Sequence, residues 1–120
     1  MSTVKDLIVY QKGFKNAMNI FHVTKKYPTD EKFVLTSQIR RSSRSVCSNL
    51  AEAYRKRRYP AHFIAKISDA DMENCETQTW LDFSLACEYI SKTHYTKLYK
   101  ETEEIGKLLN HMIENPKNYN

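Results

Sequence analysis

Apolar side chains recur three and four residues apart in four separate stretches of this chain, and no other feature constrains its fold as strongly. An α-helix repeats about every 3.6 residues, so positions spaced this way share one face, the seam along which helices pack. In the first stretch, about 6–26, the seam reads Leu7, Tyr10, Phe14, Ala17, Phe21 and Thr24. In the second, about 30–57, it reads Leu35, Ile39, Ser42, Val46, Leu50 and Ala53. The third, about 61–91, carries Phe63, Ile67, Ala70, Asn74, Gln78, Leu81, Leu85 and Tyr89. The fourth, about 94–114, carries Tyr95, Leu98, Thr102, Ile105, Leu109 and Met112.

Helix-end chemistry falls between these stretches. Thr3 with Asp6 reads as a capping box with Asp in place of Glu. Pro28 disfavours helix at Tyr27, so the first helix stops there. Thr29 is placed to cap the second helix, with Asp30 and Glu31 favourable in its first turn. Pro60 suits the start of the third, Thr93 the cap of the fourth, and Pro116 its end. Two glycines and three prolines in 120 residues leave too little turn chemistry for an all-β domain. The expectation is one all-α domain over 1–120, an antiparallel up-down-up-down four-helix bundle, because short connections make consecutive helices antiparallel neighbours.

Charge is uneven along the chain, whose formal total is +5. From Arg40 to Arg58 seven basic residues face one acid, Glu52, for a net +6. From Asp69 to Glu88 there are six acids and no base. The two segments can attract a polyanion or satisfy each other. Cys47, Cys75 and Cys87 have no metal- or disulfide-type spacing and read as reduced thiols of a cytoplasmic protein. Met1 to Asp6 lacks the apolar core of a signal peptide, and no apolar run approaches the ~20 residues that span a bilayer, so no membrane partner is expected.

Catalytic and metal patterns are missing. A di-iron bundle needs Glu-x-x-His, but Asn19, Tyr59, Ser91 and Leu108 stand three residues before the four histidines. Both glycines, Gly13 and Gly106, lie inside helical stretches, so no phosphate-cradling loop is available. Cys47 beside Arg44 and Ser48 has no histidine that can be placed near it. Neither a catalytic residue, a metal nor a cofactor is expected.

Two further features bear on partners. Met72, Trp80 and Phe83 fall opposite the seam of the third helix, among Asp69, Glu73 and Glu76, and Val9, Ile20 and Val23 lie off the seam of the first. Such second strips mark contact surfaces, so self-association through Met72, Glu76, Trp80 and Phe83 is expected. Asp71, Asn74 and Gln78 point inward on the third helix, with Gln38, Arg41, Asn49 and Glu52 of the second as candidate partners in an internal polar layer that fixes register.

The run from Leu35 to Glu52 (LTSQIRRSSRSVCSNLAE) resembles the signature of the four-helix-bundle proteins encoded in intervening sequences of bacterial 23S ribosomal RNA genes. Tyr10-Gln11 is similar to that family's Trp-Gln pair, Tyr27-Pro28 with Glu31 to its Phe-Pro and Glu, and Glu76 to Leu81 to its third-helix motif. The chain departs from the family at Cys47, where Pro is usual, at Ala53, where Gly is usual, and at Asp69-Ala70-Asp71, where small residues are usual. The resemblance implies an antiparallel bundle assembling as a homopentamer. It also implies relatedness to the accessory protein of diversity-generating retroelements, a basic bundle that works beside a reverse transcriptase and nucleic acid.

The basic run then has two readings. Arg40, Arg44 and Arg55 share a helical sector extending ~22 Å, followed by Lys56, Arg57 and Arg58, a spacing able to follow a phosphate backbone. Tyr54 and Tyr59 stand near enough to stack on bases. Cys47 and Ala51 share that sector, and small residues permit close helix approach, so the arginines can equally pair with Asp69, Glu73 and Glu76 of a neighbour. The expectation is a non-enzymatic, homo-oligomeric binding module that contacts RNA or DNA, with or without a protein partner. The alternative is an interaction bundle that binds no nucleic acid.

Overall fold

The computed structural model describes residues 2–120. Four helices, α1 (Ile8–Thr24), α2 (Leu35–Arg55), α3 (Pro60–Ala86) and α4 (Lys92–Glu114), carry the fold, and no strand occurs among the described residues. Short 3-10 turns stand at Val4–Asp6, Thr29–Glu31 and Pro116–Asn118. The molecule measures 44 × 24 × 23 Å, so a 27-residue α3, about 40 Å long at 1.5 Å per residue, runs its length. α1 packs on α2 and α4, and α3 packs on the same two, which sets the four helices at the corners of a square.

Several boundaries differ from the sequence expectation. Thr29 opens a 3-10 turn with no side-chain cap, and α2 begins only at Leu35. Ser91, not Thr93, caps α4, its Oγ accepting from His94 N–H at 3.1 Å. The capping box at Thr3 and Asp6 is present, on a 3-10 turn ahead of α1. Pro60 occupies the first turn of α3.

The seams of α2 and α4 lie where the spacing puts them, except that Tyr95 is only half-buried. That of α1 does so only at Ala17 and Thr24. Its buried residues are Val9, Gly13, Asn16, Ala17, Ile20 and Thr24, while Phe14 is 54% exposed. The cause is Gly13. A Cβ there would sit 3.3 Å from Cys47 Sγ and 3.5 Å from Val46 Cγ1, so α1 turns its narrow side to α2. Phe14 is too bulky for that gap and faces outward, while Tyr10 is half-buried against the edge of the core.

The core divides in two. Val9, Val46, Leu50, Phe63, Ile67 and Leu109 anchor one cluster, and Ile20, Leu35, Ile39, Leu81, Ile90 and Leu98 the other. Between them lies a polar waist. The Ser42 and Thr77 hydroxyls meet at 2.8 Å, Asn74 Nδ2 donates to Thr102 O at 2.8 Å, and Gln78 Nε2 donates to Thr102 Oγ1 at 3.0 Å. Asn16 Nδ2 donates to Glu101 Oε1 at 2.8 Å and links α1 to α4. Of the seven residues expected in this layer, Asn74 and Gln78 are in it. The other five are not. Arg41 and Glu52 are exposed and make surface ion pairs, and Gln38 accepts from Arg41 Nε. Asn49 donates to Ser45 O within its own helix. Asp71 is half-buried, and desolvation pushes its carboxyl above the usual range. Asn74 and Gln78 find their partner, Thr102, on α4 rather than on α2, and Gly106 of α4 lies beside Asn74 Nδ2.

α3 ends on a residue that favours Gly. Glu88 has φ 63°, the left-handed region. Tyr89 N–H donates to Ser84 O and Glu88 N–H to Leu85 O, each at 2.9 Å, the paired bonds of a Schellman end. Glu88→Gly is expected to raise the unfolding free energy by about 0.5–1 kcal/mol, because Gly adopts this φ without steric cost. A urea midpoint that does not move, or falls, would contradict it.

Candidate nucleic-acid interface and oligomer faces

The six cations singled out in the sequence do not form one surface. Arg40 is turned inward. Its Nε donates to Thr24 Oγ1 at 2.8 Å, and its guanidinium lies 4.9 Å from the Phe21 ring centroid. Arg44 lies 5.7 Å from the same ring and is exposed on the α1–α2 side of the molecule. Arg41, assigned to the interior from sequence, instead bridges to Glu73 at 2.8 Å and to Glu76 within the same chain. Those contacts hold the Arg41 guanidinium charged and raise its pKa.

The remaining four sit together where α2 runs out. Arg55, Lys56 and Arg58 are exposed, and among the described residues none of them makes an ion pair. Arg57 is half-buried. It donates from Nη1 to Tyr54 O at 2.9 Å and covers the Tyr54 ring at 4.2 Å, so it closes the carbonyl end of α2. Tyr59, 59% exposed, follows directly, with the His62 ring edge-on at 6.2 Å. Free cations beside an exposed aromatic ring offer phosphate contact and base stacking in one place.

The expected oligomer residues lie on the α2–α3 side. Met72 is 67% and Phe83 53% exposed. Trp80 is half-buried, its Nε1 donating to Glu76 Oε1 at 3.2 Å and its ring 6.0 Å from Phe83. Trp80 and Phe83, with Val34, Leu35 and Cys87, line an almost wholly apolar groove of about 250 Å³. A second groove, about 400 Å³, was missed in the sequence. It lies between α1 and α2 and is lined by Tyr10, Phe14, Met18, Arg44, Cys47 and Ala51. The signal was present in Tyr10 and Phe14, but the spacing assigned them to the core.

Burial pushes the Cys47 thiol up to about 11, so Arg44 does not activate it as a nucleophile. Among the described residues no three His, Cys, Asp or Glu side chains cluster as metal ligands. Nor is any helix among them long and apolar enough to cross a membrane.

Fold and site together place the chain among small all-helical proteins built from four helices. The family model for the 23S rRNA-intervening sequence protein matches residues 5–111, and the chain belongs to that family. It is similar to a protein of unknown function of the S23 ribosomal protein family from Bacteroides thetaiotaomicron VPI-5482, known from a crystal structure at 1.70 Å resolution. The two share 33% identity over 89% of this chain and 96% of the other, with a TM-score of 0.81. Comparison with curated proteins gave no match.

Proposed function

We propose that this chain is a non-enzymatic binding module, an up-down-up-down antiparallel bundle that assembles as a homo-oligomer and contacts RNA or DNA through the basic end of α2. The observation that carries the reading is the exposed, unpaired set Arg55, Lys56 and Arg58 beside exposed Tyr59. The antiparallel arrangement is supported by contacts whose order reverses between helices: Gly13 meets Cys47 whereas Thr24 meets Arg40, and Arg41 meets Glu76 whereas Glu52 meets Lys66. Pentameric assembly, a cytoplasmic location, kinship with the retroelement accessory protein and action beside a protein partner rest on the resemblance and on composition.

A second reading, an interaction bundle that binds no nucleic acid, is favoured by one observation: Arg41 is consumed by Glu73 and Glu76. Fluorescence-anisotropy titration of short single-stranded RNA and of duplex DNA separates the two. The wild type is expected to bind in the micromolar range at low salt and to weaken as salt rises. Changing Arg55, Lys56, Arg57 and Arg58 to Ala together is expected to reduce the salt slope for single strands by roughly 2–3, at about 0.7 for each phosphate no longer neutralised. Absence of binding at low salt by an oligomer of unchanged mass overturns the nucleic-acid reading.

A further inference from the structure

The connection from α2 to α3 protrudes. From Arg55 to His62 every residue but Arg57 is exposed, and between Glu52 and Asp69 the chain has no acid. Glu52 itself is held by Lys66 at 3.2 Å. Tyr59 stands directly after the cations, 59% exposed. The His62 ring is perpendicular to it at 6.2 Å, and among the described residues no ring stacks on Tyr59 and no cation covers it. We propose that this connection takes a single strand of RNA or DNA in preference to a duplex, with one base stacked on Tyr59 and the neighbouring phosphates held by Arg55, Lys56 and Arg58. This rests on the nucleic-acid reading and names its substrate class.

Two observations select the single strand. The first is the small extent of the free charge. A duplex presents phosphates on two strands across a groove, and cations spread along an element are what follow it. α2 carries such a row, but folding does not leave it free. Arg40 donates to Thr24 Oγ1, Arg41 pairs with Glu73 and Glu76, and Arg44 stands ~16 Å back along the helix from Arg55. Three unpaired cations within four residues suit a short stretch of one strand. A duplex is stiff over about 150 base pairs and touches a protruding turn at one spot, whereas a single strand bends over it. The second observation is the open ring. Stacking needs a free base face, and a duplex hides those faces within its own stack. Of the two tyrosines at this end only Tyr59 can supply the platform. Tyr54 is half-buried, its hydroxyl meets Ser2 Oγ, and Arg57 covers its ring at 4.2 Å.

Fluorescence anisotropy with four probes tests this: an unstructured single strand as RNA and as DNA, an abasic strand with the same number of phosphates, and a duplex. Wild type is expected to bind both single strands more tightly than the duplex, and the preference is expected to widen as salt rises. Phosphate attraction weakens with salt more steeply for a duplex than for a single strand, and stacking is not screened. Tyr59→Ala is expected to lower single-strand affinity roughly 5- to 150-fold, while the salt slope and the duplex affinity stay as they are, because no charge is lost. Tyr59→Phe keeps the ring and should bind like wild type. The hydrogen bonds of Tyr59 to Lys56 O and from Phe63 N–H are main-chain, so the Ala variant should keep its helical circular dichroism. The abasic strand needs no variant. Wild type is expected to bind it more weakly by the same factor, and Tyr59→Ala is expected to bind it as wild type does. No binding of any probe at low salt overturns the nucleic-acid reading itself. Binding in which the duplex matches the single strands at every salt, or the abasic strand matches the intact ones, overturns only the single-strand assignment. So does a folded Tyr59→Ala that binds the single strands as wild type does. A strand of one sugar that binds while the other does not would show a contact to the sugar and overturn the assignment to base face and phosphate.

Discussion

Phe63→Ala is expected to lower the unfolding free energy by about 3–5 kcal/mol, the range for removing a fully buried aromatic ring. Phe63 is 0% exposed. It stands one turn into α3, after Pro60, and faces inward among Val46, Leu50, Ile67 and Leu109. Its ring also stacks on Tyr119 at 5.7 Å, tying the 3-10 turn that follows α4 to the start of α3. The loss therefore has two parts, a cavity in the first core cluster and release of the Tyr119 segment. Total stability of a domain this size is about 5–15 kcal/mol, so the loss is a large share of it and the urea midpoint should fall well below that of wild type. Equilibrium urea denaturation followed by circular dichroism measures it, at a fixed protein concentration so that assembly contributes equally. A loss below about 1.5 kcal/mol would mean that the neighbouring chain collapses into the space, contrary to the closed packing described.

The fold was readable wherever one face of a helix was much more apolar than the other. α2 has such a face, and its expected inner residues are all buried. α1 is apolar on two faces, and periodicity alone cannot say which one goes inside. The deciding residue is Gly13, whose missing side chain lets α2 approach and so leaves Phe14 facing outward. In α3 the seam was read through Gln78 and Leu85, but Thr77 and Ser84 are buried instead. Their hydroxyls donate to the carbonyls of Glu73 and Trp80, four residues back, at 3.0 and 2.8 Å. A hydroxyl satisfied by its own helix can be buried at little cost, and a pattern of apolar letters does not show it.

The site was readable as charge and unreadable as pairing. Seven basic residues in one segment are plain in the sequence. That Arg40 reaches Thr24 and Phe21, and that Arg41 reaches Glu73 and Glu76, depends on the rotation of α1 and on the register of α2 against α3. What remains after those contacts is a smaller and better placed basic group at the end of α2, which is why the anisotropy experiment targets Arg55 to Arg58 and leaves Arg40 alone.

Asn74→Asp is expected to be as damaging as Phe63→Ala near neutral pH, and far less so in acid. Asn74 is 3% exposed, and its Nδ2 donates to the Thr102 carbonyl of α4. Aspartate there replaces the donor with a charged acceptor facing a carbonyl oxygen, with no cation beside it. Burying that charge unpaired should cost about 3 kcal/mol or more at pH 7. The group escapes by protonating, so its folded pKa rises above the unfolded value of about 3.9. The sign follows from that rise. The variant lies closest to wild type below about pH 4, where the acid is neutral in both states and can donate to Thr102 O. It then loses stability, relative to wild type, by up to about 1.4 kcal/mol per pH unit until the raised folded pKa is passed. Asn74→Ala removes the donor without adding a charge, so its deficit should be nearly independent of pH. Urea midpoints for wild type and both variants at pH 4, 5.5 and 7 give the differences directly. Equal deficits for Asn74→Asp at all three pH values would show that water reaches position 74, and that the waist between the two core clusters is open rather than sealed.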